Sequence, residues 1–151
     1  MLSYVQEEKP TSGAAYMQHF NHEKLDVYQV AIEFVMLTEA IIERLPRGRA
    51  CIADQLQRAS LSVPLNIAEG AGEYSSAEKI RFYRIARRSA TECASILDIC
   101  ARLRLLPEEQ YAKGRELLLR LVAMLTKMAQ AASFVNVPVP EPDLKNPERA
   151  E

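Results

Sequence analysis

The sequence lacks several features on which common protein classes depend. It contains no tryptophan, five glycines and three cysteines, and its 19 Lys and Arg residues face 20 Asp and Glu residues, so the net charge is -1. An odd number of cysteines argues against a disulfide framework and fits a reducing compartment. The balanced charge excludes a uniformly basic nucleic-acid binder but is compatible with a local basic patch. Because the apolar runs are too short to span a bilayer and the first residues show no signal-peptide pattern, we expect a cytoplasmic protein with no membrane partner.

The 151 residues, 48% of them hydrophobic, are enough for one domain flanked by two tails. We expect a flexible N-terminal tail over residues 1–20, a helical domain over 21–133 and a flexible proline-rich tail over 134–151. The first segment shows no apolar period, and the last contains alternating prolines, which lack the backbone donor of a helix. Met17 is an alternative start of the natural chain, in which case the residues before it are an extension.

Four helices and no strand are predicted between the tails, because apolar residues recur at spacings of three and four. Their predicted limits are Asn21 to Leu45, Cys51 to Glu69, Ser75 to Leu103, and Pro107 onwards. Asn21 is the expected N-cap of the first helix, and Ser75 with Glu78 is an expected capping box at the third. Gly70 and Gly72 are expected to end the second. Long helices with short connections predict an all-α, up-and-down antiparallel four-helix bundle.

The apolar surfaces of two predicted helices are wider than a single bundle requires. A bundle helix needs an apolar arc of about 100° toward the core, whereas the arcs of the first and third helices each cover roughly 200°. In the first helix the arc consists of two adjacent stripes: Leu25, Tyr28, Ile32, Val35 and Ile42, beside Val27, Ala31, Phe34, Ile41 and Leu45. We infer that a homo-oligomer buries the surplus. Coverage by connections or tails is the alternative.

Residues that commonly carry chemistry are present but do not form a recognisable site. His19 and His22 lie at or before the start of the first helix, so the bundle lacks the Glu-x-x-His pairs of carboxylate-bridged metal centres. Cys93 and Cys100 lie on one helical face among small and apolar residues, which is typical of core thiols. The Glu69–Gly72 stretch lacks the strand, third glycine or Lys-Ser partner of a nucleotide-binding loop. We therefore predict no catalytic residue, no cofactor, no metal site and no enzymatic activity.

A continuous polar stripe on the second helix is the most specific polar feature. Its members follow helical steps of three and four residues: Gln55, Arg58, Ser62, Asn66 and Glu69. Two interpretations are open. The stripe either forms hydrogen bonds within the bundle, to an adjoining subunit or to the carbonyl freed by Pro64, or it recognises a ligand or partner. An enzyme that uses Asn66 and Glu69 for a small molecule or metal is the least supported alternative.

Three arginines on the third helix form a second candidate surface. Arg81, Arg84 and Arg88 lie within about 60° of each other, on the side expected to be exposed. Such a stripe can contact nucleic-acid phosphates, and the copies in an oligomer would multiply it. Because Glu78 and Glu92 border the stripe, a solvated surface with intrahelical ion pairs is the other interpretation.

Three segments are similar to one protein family: Leu25–Gln29, Gln55–Ala59, and Ser62–Gly70 with its Pro-Leu-Asn-Ile-Ala-Glu-Gly sequence. Third-helix positions match as well, namely Glu78, Phe82, Ala86, Ser89, Ala90 and Glu92. Over about residues 20–130 the sequence resembles the bacterial four-helix bundle protein family, first noted as products of intervening sequences in 23S ribosomal RNA genes. The resemblance implies a non-enzymatic protomer that assembles into a pentameric ring. It also implies a fold similar to the accessory variability proteins of diversity-generating retroelements, which bind a reverse transcriptase and nucleic acid.

The leading hypothesis from the sequence is a non-enzymatic, oligomeric helical scaffold or interaction protein. Its partners are copies of itself, with RNA or a nucleoprotein as a further candidate. The hypothesis depends on the wide apolar arcs and on the lack of a recognisable catalytic set. The alternative is direct RNA or DNA binding through Arg81, Arg84 and Arg88.

Overall fold

The structure is a computed structural model that describes residues 18–135. It contains the helices α1 (Asp26–Arg44), α2 (Ala50–Gly72), α3 (Ser76–Arg102) and α4 (Glu108–Phe134). A 3-10 turn over Asn21–Lys24 precedes α1, and these described residues include no strand. The predicted all-α four-helix fold is confirmed. Most of both predicted tails, residues 1–17 and 136–151, lies outside the described part of the chain.

Successive helices are antiparallel neighbours joined by short connections. α1 packs on α2, α2 on α3 and α3 on α4, and α4 packs back on α1, which gives the predicted up-and-down bundle. The α1–α2 and α3–α4 connections therefore lie at one end of the bundle, which we call the loop end. The α2–α3 connection lies at the opposite end, together with the start of α1 and the end of α4. We call this the terminus end.

The core is built from one face of each helix. Its largest fully buried side chains include Phe34, Ile41, Leu56, Ile67, Leu97, Leu117, Leu121 and Leu125. α1 buries the apolar stripe that runs from Val27 to Ile41, whereas the neighbouring stripe from Leu25 to Ile42 is half-buried along its length. The core face of α3 consists mainly of small residues, since Ala86, Ala90 and Cys93 are fully buried. Neighbouring helices can therefore approach α3 closely.

The start of α1 differs from the prediction. Asn21 opens the 3-10 turn, and α1 begins at Asp26 with Leu25 in the N-cap position. The Glu23 carboxylate accepts a hydrogen bond of 2.9 Å from the backbone N–H of Phe20. The predicted Asn21 cap of α1 is therefore wrong, because this local turn uses the polar residues that the sequence pattern assigned to the helix. Asp26 does lie in the first turn, where the helix dipole favours a negative charge.

The starts of α3 and α4 are close to the prediction, but the capping chemistry differs. Ser75 is the N-cap residue of α3, yet its side chain makes no capping hydrogen bond. Glu78 forms an ion pair with Arg81 at 3.1 Å. The predicted capping box is therefore wrong, although it marks the correct boundary. Pro107 is predicted as the first residue of α4. In the structure it occupies the N-cap position, and Glu108 begins the helix.

Gly70 is predicted to end α2, but in the structure it does not. The helix continues to Gly72, and Gly70 is buried where α2 passes α3. A Cβ atom at position 70 would lie 2.6 Å from Cε1 of Tyr83 and 3.2 Å from Cβ of Phe82. The residue has no side chain because the two helices are in close contact there. Lys79 helps to cap the end of α2, since its ammonium group donates to the carbonyl oxygen of Gly70 at 3.2 Å.

α4 is more apolar than the short apolar runs in the sequence suggest. It contains an 18-residue window of mean hydropathy 1.3, which is enough to cross a membrane by length and composition alone. Core helices of water-soluble bundles pass the same test, and α4 packs on both α1 and α3. Only 22% of that window is buried in the single chain. Much of the apolar surface of α4 therefore faces outward.

Candidate interaction surfaces

Small polar side chains join α2 to α3 at the centre of their contact. Ser89 lies on the buried side of α3, and its hydroxyl donates to the Ser62 hydroxyl on α2 at 2.9 Å. The side-chain amide of Asn66 donates to the Ser62 hydroxyl at 3.0 Å and to the Ser62 carbonyl at 2.8 Å. The three residues form a connected network that satisfies polar groups where the helices touch. Two of them belong to the predicted polar stripe.

A second polar contact joins α2 to α3 closer to the loop end. The side-chain amide of Gln55 donates to the Glu92 carboxylate, and the guanidinium of Arg58 donates to the side-chain carbonyl of Gln55 at 3.0 Å. The sequence predicts that Glu92 borders the arginines of α3, whereas the structure turns it towards α2. All three residues are exposed, so solvent weakens these bonds and the charge of Arg58 remains at the surface.

Four of the five residues in the polar stripe make hydrogen bonds, and Glu69 does not join them. Glu69 is exposed, and no ion pair or hydrogen bond connects it to another residue between positions 18 and 135. Asn66 donates to the carbonyl of Ser62, not to the Ser60 carbonyl that Pro64 frees. The observed contacts are those of the structural interpretation, namely hydrogen bonds within the bundle. Recognition of a ligand or partner by the stripe stays a prediction.

Apolar side chains are exposed on the outer faces of α2 and α3. On α2, Leu61 is 41% exposed and Leu65 is 64% exposed. Ile99 on α3 is 52% exposed, and Leu103, which directly follows α3, is 45% exposed. The antiparallel register set by the serine contact places the two leucines of α2 towards the terminus end and the α3 pair at the loop end. The contact between Gln55 and the Glu92 carboxylate lies between them. We call this surface of α2 and α3, with its apolar ends and polar centre, the α2–α3 seam.

The predicted arginine stripe lies on the exposed face of α3 and comprises Arg81, Arg84 and Arg88. Arg81 is neutralised by Glu78, since the two side chains form the ion pair described above. Neither Arg84 nor Arg88 forms an ion pair or hydrogen bond with any residue in the described part of the chain. Glu92, one helical turn beyond Arg88, is bonded to α2 instead. Two guanidinium groups of the stripe are therefore accessible to an external anion.

α3 and α4 are poor in carboxylates at the terminus end. α3 contains no Asp or Glu over residues 79–91, and α4 contains none over residues 117–134. The two stretches are neighbours, because the Arg87 guanidinium donates to the Thr126 hydroxyl at 3.4 Å. This half of the α3–α4 pair therefore concentrates positive charge in a protein whose net charge is -1.

An apolar groove separates α3 from α4 midway along the bundle. Thr91 and Ala94 form one wall, and Leu118 and Leu119 lie on the other. Leu119 is 63% exposed. Asp98 lies towards the loop end, where it accepts hydrogen bonds from a tyrosine and an arginine of α4. Because the groove is shallow and open, it resembles a contact surface for another protein more than an enclosed ligand pocket.

The thiols do not form a reactive centre in the described residues. Cys93 and Cys100 are buried, as predicted, and Cys51 is exposed. Burial, reinforced by the neighbouring charge of Glu92, raises the pKa of Cys93 to about 12. Its thiol therefore stays protonated and poorly nucleophilic at neutral pH. Residues 18–135 contain no group of three or more His, Cys, Asp or Glu side chains placed to hold a metal ion.

The surfaces described above lie in a region that matches a known protein family. A family model described as 23S rRNA-intervening sequence protein matches residues 23–127. The chain belongs to this family. The family resemblance recognised in the sequence is confirmed, while the similarity to the accessory variability proteins stays a prediction. No curated protein matches the chain.

The matched region covers all of α1, α2 and α3 and ends within α4. It includes the polar stripe, the arginine stripe and both apolar surfaces. The family description names the 23S ribosomal RNA and specifies no reaction.

Proposed function

We propose that this protein is a self-associating helical scaffold without enzymatic activity, located in the cytoplasm. The observation that carries the proposal is the α2–α3 seam, where four large apolar side chains are 41–64% exposed in the single chain. Large apolar side chains that are exposed in a single chain favour burial against another protein. The family resemblance supplies the number of subunits, because it implies a closed ring of five copies.

A closed ring needs two different surfaces on each subunit, one for each neighbour. The α2–α3 seam is one of them in this proposal. The second is the apolar groove between α3 and α4, whose rim includes the exposed Leu119. The polar centre of the seam suits this role as well, because interfaces combine buried apolar residues with arginine and hydrogen-bonding side chains.

The self-association surface is tested by placing a charge on the seam. In Leu65→Glu and Ile99→Glu, assembly would bury an unpaired carboxylate, so both variants should dissociate towards single subunits of 17.0 kDa. Met36→Glu is the matched control, because Met36 is 69% exposed on α1 and lies outside both proposed surfaces. Light scattering after size-exclusion chromatography gives the masses. If both seam variants keep the wild-type mass, the assignment of the seam is wrong.

A second function is supported by a separate observation. Arg84 and Arg88 are exposed and form no ion pair in the described part of the chain, and the adjoining stretches of α3 and α4 contain no carboxylate. Guanidinium groups in this setting suit the phosphates of RNA or DNA. An oligomer would present several copies of the stripe to one nucleic-acid strand, which strengthens weak contacts.

Nucleic-acid binding is tested with a fluorescent 20-nucleotide single-stranded RNA over a range of salt concentrations. The variant with Arg81, Arg84 and Arg88 replaced by alanine should bind more weakly. Its plot of log binding constant against log salt concentration should have a slope that is shallower by about 0.7 for each phosphate that the variant leaves unneutralised. The control replaces Arg47, Arg102 and Arg104 at the loop end, which removes the same charge elsewhere. Equal binding by the two variants would contradict a specific role of the stripe.

A further inference from the structure

The sequence that follows α4 has the opposite charge to the surface beside which α4 ends. Residues 136–151 contain four acidic and two basic side chains: Glu141, Asp143, Glu148 and Glu151, with Lys145 and Arg149. α4 ends at Phe134 at the terminus end, the same half of the bundle that carries the arginine stripe. We propose that residues 136–151 dock on the arginine stripe of their own chain and cover it when no other anion is bound.

The register between α3 and α4 places the start of this segment close to the stripe. Two contacts set the same antiparallel register: Arg87 with Thr126, and Asp98 with Arg115. Extending that register along α4 brings Phe134 level with about Lys79 of α3. The arginines from Arg81 to Arg88 then begin about 3 Å further along α3 and end about 14 Å further, at 1.5 Å per residue.

The segment is long enough to reach every arginine of the stripe. Glu141 follows Phe134 by seven residues. An extended proline-rich chain advances about 3.1 Å per residue, so Glu141 can lie roughly 20 Å from the end of α4. The chain can therefore turn back at the end of the bundle and place its first two carboxylates against Arg84 and Arg88.

The surface and the segment also match in their apolar residues. The groove that contains the three arginines is lined by Ile80 and Ile85 as well. The segment combines its carboxylates with Val137, Val139 and Leu144. An extended peptide can place apolar side chains on the isoleucines while its carboxylates reach the guanidinium groups on either side.

Tethering makes such docking effective although each contact is weak. An exposed ion pair is weak, but a short tether raises the local concentration of the segment to the millimolar range. The contact should also weaken with salt, because the charges are exposed and screened. A polyanion that brings many phosphates at once could therefore displace the segment. Docking on these terms covers the stripe reversibly.

Disulfide trapping in the full chain tests the docking directly. One variant carries Ala77→Cys, at an exposed position that lines the arginine groove, and Asn146→Cys in the segment. The exposed Cys51 is replaced by serine in all variants, while Cys93 and Cys100 are buried. The matched control pairs Asn146→Cys with Ala131→Cys, which is exposed on α4 close to Phe134, so that both pairs lie near the start of the segment. At low salt the first pair should form an intrachain disulfide at least five times faster than the control, and the difference should disappear at high salt.

Charge neutralisation in the same cysteine pair shows whether carboxylates hold the segment. Glu141→Gln, Asp143→Asn and Glu148→Gln together should lower the trapping rate to that of the control pair. The matched change of Lys145 and Arg149 to glutamine should leave it unchanged or raise it. Equal rates for the two cysteine pairs, or a rate that ignores the carboxylates, would overturn the proposal. Disulfide-linked dimers as the main product would overturn docking within one chain.

These experiments contain no nucleic acid, so they separate docking from the proposed functions. Docking can fail while the oligomer and RNA binding persist, and it can succeed in a protein that binds no RNA. Trapping in the Leu65→Glu variant tests independence from assembly, because a segment that docks on its own chain should be trapped at the same rate in a single subunit. A rate that falls to that of the control pair on dissociation would overturn docking within one chain.

Discussion

Gly70 is a residue whose role depends on a contact that its sequence neighbours do not show. Two nearby glycines after a helical pattern normally indicate a helix end, and Gly72 does end α2. Gly70 has a different role, because the ring of Tyr83 and the Cβ atom of Phe82 occupy the space of its missing side chain. Sequence reasoning missed this role because both neighbours belong to the next helix.

Replacing Gly70 by alanine should lower the free energy of unfolding by about 1–3 kcal/mol, because the added methyl group overpacks the α2–α3 contact. Gly72→Ala is the control, since nothing lies within 4 Å of the atom it would add. That control should raise the free energy of unfolding by up to about 1 kcal/mol through helix propensity. Urea unfolding measures both. A stabilising Gly70→Ala substitution would contradict the close contact.

Arg104 is a residue in a backbone conformation that favours glycine. Its φ is 56°, and its N–H donates to the carbonyl of Ala101 at 3.0 Å while the N–H of Leu105 donates to that of Cys100 at 2.8 Å. These are the two hydrogen bonds of a Schellman motif, in which glycine usually takes the position of Arg104. The sequence offered no glycine there, so it predicted the end of α3 but not the form of the turn.

Arg104→Gly should raise the free energy of unfolding by about 1 kcal/mol, because glycine adopts this conformation without the strain of a side chain. Gly48→Ala supplies the opposite control, since Gly48 has a φ of 87° in the α1–α2 connection. It should destabilise the protein by a similar amount. Thermal unfolding of both variants checks the pair, and a loss of stability in Arg104→Gly would show that its side chain makes a stabilising contact.

The helices themselves could be predicted because apolar spacing and prolines act within one segment. Their caps could not be predicted equally well. The Glu78 carboxylate can accept a hydrogen bond from the Ser75 backbone or pair with the Arg81 guanidinium, and in the structure it pairs with Arg81. Likewise, the spacing on α2 reveals a polar stripe, but only the antiparallel register shows that Ser62 contacts Ser89 and that Gln55 contacts the Glu92 carboxylate.

The small core face of α3 gives a prediction at the scale of one helix. Ala90 is fully buried where neighbouring helices pass close to α3. Ala90→Leu should therefore overpack the core and lower the free energy of unfolding by about 1–3 kcal/mol. Ala77→Leu makes the same change on the exposed side of α3 and should alter stability by about 0.5 kcal/mol or less. Similar values for the two variants in urea unfolding would place Ala90 in a looser contact than described.

The whole molecule distributes charge and apolar surface unevenly, which its composition does not show. A net charge of -1 combines the arginine stripe of α3 with an acidic segment after α4. The sequence predicted surplus apolar surface on the first and third helices. In the structure the surplus of α1 is half-buried, whereas exposed leucines and isoleucines lie along the α2–α3 seam and on α4. The location of this surface depends on packing between helices, and periodicity alone could not assign it.

Self-association underlies the proposed function, and the mass of the wild-type protein in solution tests it most directly. Sedimentation equilibrium at micromolar concentration measures that mass independently of shape. The expected result is a defined assembly of several subunits of 17.0 kDa each, with five as the number implied by the family resemblance. A single species of 17.0 kDa over the whole concentration range would contradict it.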